Sequence, residues 1–485
     1  MKLGVPVTVN NLIEWTKVEI LSPAHMSRKN SYIKTISTDS RTIQKGDFFI
    51  PITGEVYDGH EFITDAVNKG ANGFVMQDKH VDKINKWKSS ISPEIWEKLI
   101  ILVSKNNLDF LIELSSNYIR KFNPIVIGIT GSVGKTTTKN FIAGVLGEIF
   151  NIKYTPKNYN TEIGIASSIL EIDSSTQFFI CELGMRAKGQ IKALSEAVNL
   201  DIGAITAIGP SHLEFFESVE EIAIAKAEMA DFLKKKNGVL FLNNDDEWTD
   251  FITDRISCDV KRFGRNNRID FNFIENEMDG FGRYSISFFE ENRKITDVFL
   301  PVCGYHNIYN ACCAAAICTY LGVLPEALKH GLEDAVLELN RMQVFEKNGK
   351  IIINDCYNAN PPSMKRAVDT LKQISVKNSS RSIAVLADMF ELGKQSEKLH
   401  YEVGQYTGKK GIDVLVALGK LSENICTGFY SVKDKNRSSF KKKDVYYFRD
   451  KEELKANLGK IIKKGDTILI KGSRANKLES LIECF

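Results

Sequence analysis

Three α/β domains in series are predicted for this chain. They are a small α/β domain, a central parallel-sheet domain with a phosphate loop, and a doubly wound, Rossmann-like domain. Three observations lead there. At 485 residues the chain has room for about three domains of ~150 residues each. The stretch Pro124–Ile149 reads as strand, glycine turn and helix, a unit of parallel sheets. Beyond residue 337, four apolar runs end in polar or charged residues, as strands do where a doubly wound sheet binds ligands. The expected domains are 1–105, 106–336 and 337–485.

Composition excludes several classes of protein. An apolar fraction of 43% is ample for packed cores, and 26% charged residues is ordinary. Net charge is only +3. The runs Lys234–Lys236 and Lys441–Lys443 read as solvated surface, so nucleic acid is not an expected partner. No apolar run approaches ~18 residues, so no membrane span is expected. Asn10, Asn11 and Glu14 interrupt the N-terminal stretch where a signal peptide needs an apolar core. The nine cysteines include no C-x-x-C pair. Cys312 and Cys313 sit in an alanine-rich apolar segment, so the cysteines read as reduced core residues of a cytoplasmic protein.

In the first domain, Asp47-FFIPI and Gly73-FVM are strand-like, and Gly70 ends the helical stretch between them. Ser37–Arg41, with Ser40 and Arg41, and Asp58–Phe62, with His60, are polar clusters that turns or helix caps explain when each is taken alone. Trp87–Glu97 is polar and irregular, and a surface insertion is expected there. Leu108–Phe122 has helical spacing and leads into the central domain.

The central domain opens on Ile125, Val126, Ile127 and Ile129, a β-branched run with the pattern of a buried parallel strand. Gly131, Ser132, Val133 and Gly134 form the turn. Lys135, Thr136 and Thr137 begin a helix whose apolar residues are Phe141, Ile142, Val145, Leu146 and Ile149. A glycine loop feeding a helix start aims backbone N–H groups and the positive dipole end at one spot, which suits phosphate. Lys135 would reach the terminal phosphates and the Thr136 hydroxyl would ligate Mg²⁺. The spacing departs from the general phosphate-loop pattern, with Ile129 where a glycine is wanted and Gly128 one residue early.

Asn158, Asn160 and Thr161 precede an apolar helix, where polar residues serve as caps. Glu182 ends the strand-like run Gln177-FFICE, the place where α/β ATPases hold Mg²⁺. His212 follows another apolar strand and a Gly-Pro turn. The acidic pair Asp245-Asp246 reads as solvated loop, and residues 258–302 are strand-like without an assignable motif. In the last domain, Asp355 ends the strand Ile351–Ile353. A Tyr-Asn-Ala-Asn-Pro-Pro turn holding Asn358 and Asn360 starts a helix, and Lys471, Ser473 and Arg474 close the final strand.

Six ordered segments resemble one family. They are TDSR with DGH, TGSVGKTTT, NYNTEIG, ELGM with PSHLEFF and AKAE, GYHNIYN, and the set RMQ, DCYNANP, ADMFELG and KGSR. Together they are similar to the Mur ligases. The C-terminal set resembles the type that joins D-alanyl-D-alanine to UDP-N-acetylmuramoyl-tripeptide. Folylpolyglutamate synthetases share the phosphate loop without those C-terminal strings. Ala387 and Ile165-Ala166 depart from the pattern at positions without catalytic side chains.

The resemblance implies ATP-dependent amide synthesis through an acyl phosphate, in a cytoplasmic monomer. Gly131 to Thr137 would hold ATP phosphates, Asn307 the adenine, and Arg341 and Asp355 the rest of the nucleotide. Thr136, Glu182 and His212 would serve Mg²⁺, although imidazole is not the oxygen ligand that Mg²⁺ favours. Ser40, Arg41, His60, Asn160 and Thr161 would meet the UDP-substrate. Asn358, Asn360, Lys471, Ser473 and Arg474 would face the dipeptide. A kinase or GTPase would share only the opening motif, and no Asn-Lys-x-Asp string follows it.

Val219–Lys236 reads as one helix, with Val219, Ile222, Met229 and Leu233 on a stripe. Lys226 falls on that stripe. By periodicity it would snorkel outward or pair with a carboxylate. The Ala-Lys-Ala-Glu context resembles the Mur ligase lysine that takes up CO₂. A carbamylated Lys226 at the second Mg²⁺ is therefore expected, and Lys135, His212 and Lys226 are the expected catalytic residues.

Overall fold

A computed structural model describes residues 1–21, 28–54, 57–157, 159–211, 214–432 and 444–485. Three sheets stand in chain order. The first, of six strands, runs Lys2–Thr8, Tyr32–Ser37, Phe48–Phe49, Gly73–Gln77, Ile100–Ser104, Glu19–Ile20. Its middle strands are parallel and its outer pairs antiparallel. The second has nine strands in the order Arg293–Cys303, Arg283–Glu290, Phe271–Met278, Asp259–Gly264, Val239–Asn243, Ile202–Ile205, Ile125–Thr130, Phe178–Glu182, Ile152–Tyr154. Strand-like residues 258–302 thus become a parallel strand and an antiparallel meander on that sheet's edge. The third runs Gln343–Lys347, Lys350–Asp355, Thr467–Lys471, Ser382–Ala387, Val414–Leu418, Val445–Phe448, parallel except for the first hairpin.

The chain packs as two compact units. The first comprises Met1–Gly128, Phe150–Gly184 and Lys192–Asp201. Within it, Trp87–Glu97 is not a surface insertion. Short helices Ile84–Ser89 and Pro93–Trp96 bury Trp87, Ile91 and Trp96 beside Phe49, Phe74 and Ile101. The polar residues between them simply face outward, which hid the apolar spacing. The helix Asn107–Phe122 is capped by Asn106, whose side chain accepts from Leu108 N at 2.8 Å, and it ends on left-handed Asn123 (φ +49°).

The second unit comprises Ile129–Ile149, Met185–Ile191 and Ile202–Phe485. Cys312, Cys313 and Cys318 are wholly buried on the helix His306–Tyr320, and all nine cysteines are free. The expected single helix Val219–Lys236 is two, Val219–Ala227 and Met229–Lys236, interrupted only at Glu228. Glu228 keeps right-handed helical angles (φ −54°, ψ −25°), so the stripe carries through the break. Ser218 caps the start, accepting from Glu221 N at 3.2 Å.

Candidate active site

The phosphate loop lies between the strand Ile125–Thr130 and the helix Lys135–Gly147. Gly131 and Gly134 both have positive φ, +149° and +93°. A Cβ at Gly131 would stand 2.1 Å from Thr206 Oγ1, and one at Gly134 would stand 2.3 Å from Asn310 Oδ1. Backbone conformation and space therefore both require glycine. Ser132 clamps the loop: its N–H donates to Ala207 O at 2.8 Å and its hydroxyl to Gly209 O at 2.8 Å. Thr206 Oγ1 donates to the Val133 carbonyl, and Lys135 Nζ folds onto the Gly131 carbonyl. With carbonyls tied back, the helix start presents its N–H groups, which lack intrahelical acceptors. Thr136 is buried.

Lys226 does not snorkel. It is 2% exposed, on a face with Ile222, Ala223, Met229 and Leu233. Burial drives its ammonium well below the ordinary lysine range, and the nearby charge of Lys135 pushes the same way. Two lysines far apart in sequence are thus electrostatic neighbours at the phosphate loop. His212 lies outside the described residues, as does Asn158. Glu182 is 1% exposed at the end of its strand, and its N–H donates to Thr155 Oγ1 at 3.2 Å. The Asn160 loop packs behind it, with Gly184 N donating to Asn160 O at 3.0 Å. Thr161 is exposed at the head of the helix Glu162–Ile169.

In the first domain, Arg41 projects into solvent beside Asp39, with Nη2 2.7 Å from Oδ2. The hydrogen bond from the Arg41 side chain holds the Asp39 carboxyl at about 2. Ser40 is buried. His60 departs from its expected role at the UDP-substrate. Its ring is 0% exposed and Nε2 accepts from Gln77 N at 3.1 Å. The proton must then sit on Nδ1, which donates to Asp58 Oδ1 at 2.6 Å. His80 Nε2 lies 3.0 Å from Asp58 Oδ2. Although three ligand-type residues meet here, the proton on His60 Nδ1 is incompatible with metal at that atom. His60 supports the loop from within.

In the last domain, Asp355 and Lys471 form a buried ion pair, and Lys471 Nζ also donates to Asn358 O at 2.9 Å. Asn360 caps the helix Pro361–Lys377, accepting from Ser363 N at 2.9 Å. Ser473 Oγ accepts from Phe390 N at 3.0 Å, and Arg474 pairs with Glu479 at 2.8 Å. Asn358, Asn360, Lys471, Ser473 and Arg474 thus gather around one end of the sheet, but several are already engaged in holding its loops.

Cavities in the second unit include two that bear on the expected site residues. One of about 240 Å³ adjoins the phosphate loop through Thr206 and Asn310, and Asp245, Asp246, Tyr305, His306, Tyr309 and Arg366 also line it. Asn307, expected at adenine, is 2% exposed. Its Nδ2 donates to Cys303 O at 2.7 Å and its Oδ1 accepts from Asn310 Nδ2 at 2.8 Å. It therefore positions Asn310 rather than lining the cavity itself. Arg341 lines a separate cavity of about 260 Å³, pairs with Glu338 at 3.3 Å and lies 3.8 Å over the Tyr357 ring. The structure does not bring it to the phosphate loop's cavity.

Of the acidic pair, Asp245 is exposed in a turn, as expected, whereas Asp246 is half-buried. Asp246 accepts from Ile208 N at 2.8 Å and Trp248 N at 3.0 Å, and burial raises its carboxyl. Asp245 accepts from the Tyr309 hydroxyl at 3.0 Å. Burial lowers His306 to about 3, so it stays neutral. The usable signal for these missed residues was position, since Asp245 and Asp246 follow the carboxyl end of a parallel strand.

Family models match three consecutive segments: the Mur ligase family catalytic domain over residues 32–116, the Mur ligase middle domain over 129–318, and the Mur ligase glutamate ligase domain over 340–474. The UDP-N-acetylmuramoyl-tripeptide–D-alanyl-D-alanine ligase of Bacillus subtilis is 32% identical over 98% of this chain and 97% of its own. The Escherichia coli protein of the same name is 28% identical over 93% of each chain. The crystal structure of MurF from Acinetobacter baumannii superimposes with a TM-score of 0.86 at 26% identity, covering 100% of this chain and 99% of that one. MurF from Thermotoga maritima, solved with ADP, gives 0.78 at 25% identity, covering 96% and 98%. Matched from end to end in sequence and in structure by MurF-type enzymes, the chain belongs to the Mur ligase family.

Proposed function

We propose that this chain is an ATP-dependent amide ligase that joins D-alanyl-D-alanine to UDP-N-acetylmuramoyl-tripeptide in the cytoplasm, acting as a monomer. One observation carries the reading: a glycine loop with Lys135 at a helix start and the buried Lys226 beside it, in a chain that aligns over its full length with ligases of that name. Among the described residues no helix is long and apolar enough to cross a membrane.

The chemistry follows from the poor electrophilicity of a carboxylate. The γ-phosphoryl group of ATP passes to the tripeptide's terminal carboxylate, giving an acyl phosphate and ADP. The dipeptide amine attacks that carbonyl, and the amide forms as phosphate leaves. Lys135 and the loop N–H groups would hold phosphate oxygens as charge builds on them. Thr136 and Glu182 are oxygen donors of the kind Mg²⁺ takes, and bound Mg²⁺ would neutralise phosphate charge. Lys226 fits carbamylation. As a neutral buried amine it can bond to CO₂ with loss of one proton, leaving an anionic oxygen donor. Arg41 on the first domain, and Asn358, Asn360 and Lys471 on the last, remain the proposed contacts to the UDP-substrate and the dipeptide.

The test is phosphate release from ATP with each substrate alone and with both. Release that requires UDP-N-acetylmuramoyl-tripeptide and D-alanyl-D-alanine together is the expected result. Release with a folate or with a single amino acid instead would assign another branch of the superfamily.

A further inference from the structure

We propose that Arg366, on the helix Pro361–Lys377, holds the base-and-ribose end of the nucleotide whose phosphates the Gly131–Lys135 loop takes. The inference rests on the ligase reading above and adds a binding residue to it.

The cavity begins at the phosphate loop. Thr206 supports the Val133 carbonyl, and Asn310 occupies the space a Gly134 side chain would need. This adjoining space can take the sugar and base of a nucleotide whose phosphates sit on the loop. Arg366, Thr370 and Gln373 also line it, at i, i+4 and i+7 on one helix face.

Arg366 is half-buried. Among the described residues its guanidinium has no hydrogen bond or ion pair. The carboxylates around it are occupied elsewhere: Asp246 by two backbone N–H groups, Asp245 by Tyr309, and Asp369 by Lys410 and Tyr406. A guanidinium carries five donors and no acceptor, and among the described residues no protein acceptor meets those of Arg366, which open onto the cavity. Burial lowers its pKa. Such a group is accounted for by a ligand that brings acceptors into the cavity.

Its surroundings select the part of the ligand. Arg366 faces the cavity together with Asp246, Tyr305 and Tyr309, whereas Thr206 and Asn310 line it where it adjoins the phosphate loop. Three carboxylates, Asp245, Asp246 and Asp369, line the same cavity and disfavour further phosphate there. Purine ring nitrogens and ribose hydroxyls offer neutral acceptors to the guanidinium fork. The flat cation also suits the face of a base, beside the Tyr305 and Tyr309 rings, whose centroids are 5.9 Å apart.

Calorimetric binding of ADP and AMP to the full chain tests this, in the wild type, Arg366→Gln, Arg366→Lys and Lys135→Ala. Arg366→Gln is expected to weaken both ligands by the same factor, roughly 10- to 100-fold. Arg366→Lys is expected to restore little, because an ammonium lacks the flat fork. It also carries the test if the glutamine variant fails to fold. Lys135→Ala is expected to weaken ADP more than AMP. Unchanged affinity in the Arg366 variants, or a loss confined to ADP, overturns the proposal while the ligase reading stands. Recovery of Arg366→Gln by a second change, Asp246→Asn, also overturns it, because Arg366 would then serve an ion pair. A wild type that binds neither nucleotide overturns the ligase reading and this proposal with it.

Discussion

Asp355 and Lys471 stand opposite each other in the register of neighbouring parallel strands, and their side chains close a buried ion pair. The family resemblance gives one to the nucleotide and the other to the dipeptide. Their contact ties the two sides of the proposed reaction together. Lys471 also holds the Asn358 carbonyl, and Asp355 Oδ1 accepts from Met342 N at 3.2 Å, where the chain enters this domain.

This pair predicts strong coupling. Asp355→Asn or Lys471→Met alone leaves a buried charge without its partner, at a cost of about 3–5 kcal/mol. The double variant should cost clearly less than the sum of the two. Urea unfolding of the four proteins measures this. Additive losses would mean that the pair contributes nothing as a pair.

Gly134→Ala should cripple nucleotide binding. A left-handed non-glycine residue costs about 1–2 kcal/mol, and the new Cβ meets Asn310 Oδ1. ADP affinity should fall at least about tenfold. Adding Asn310→Ala should recover part of the loss, since it relieves the contact but not the backbone strain. No loss in the single variant would show that the loop tolerates another backbone conformation.

Lys226→Ala should lose most activity, and added formate or acetate should restore part of it by supplying an anionic oxygen donor. Protein equilibrated with ¹³C-bicarbonate should show a carbamate carbon resonance that this variant lacks. Absence of that signal from active wild-type enzyme would rule out carbamylation.

Acid should loosen the first domain through Asp58 and His60. Partial burial raises the Asp58 carboxyl, but the His60 N–H and ring outweigh it and hold it at about 2, against 3.8 unperturbed. Its contribution is therefore present above about pH 4 and lost as pH falls towards 2. Burial lowers His60 despite the opposing pull of Asp58. The unfolded chain then takes up the extra proton below its ordinary 6.5, and stability again falls with pH. Both signs agree. Asp58→Asn should flatten the drop in Tm between pH 5 and 3, and an unchanged slope would place the acid sensitivity elsewhere.

Lys135→Ala should abolish turnover while leaving affinity for UDP-N-acetylmuramoyl-tripeptide nearly intact. Calorimetry with that substrate, alongside a phosphate-release assay, separates the two effects. Near-normal turnover would show that the loop is not the phosphate site.

The phosphate loop was legible from the sequence because its determinants are local. Gly131, Gly134, Lys135 and Thr136 lie within six residues, so the strand–turn–helix pattern shows without a distant partner. The strands ending in Glu182, Asp355 and Lys471 were legible for the same reason, since a run of β-branched residues reports burial by itself. Periodicity also put Lys226 on the apolar face of its helix. It could not say whether the lysine escaped to solvent, because that depends on what covers the face.

Tertiary structure decided the remainder. It turned His60 and Asn307 inward, sent Arg341 to a second cavity, buried Trp87 and Trp96, and gathered Asp246, Tyr309 and Arg366 around one space. Several of these outcomes rest on residues far apart in the chain, such as Gln77 beside His60 or Asp246 and Arg366 lining one cavity. A one-dimensional pattern states which side of an element is apolar. Whether a polar side chain on it meets a partner, a ligand or water is a free-energy difference set by the elements packed across from it.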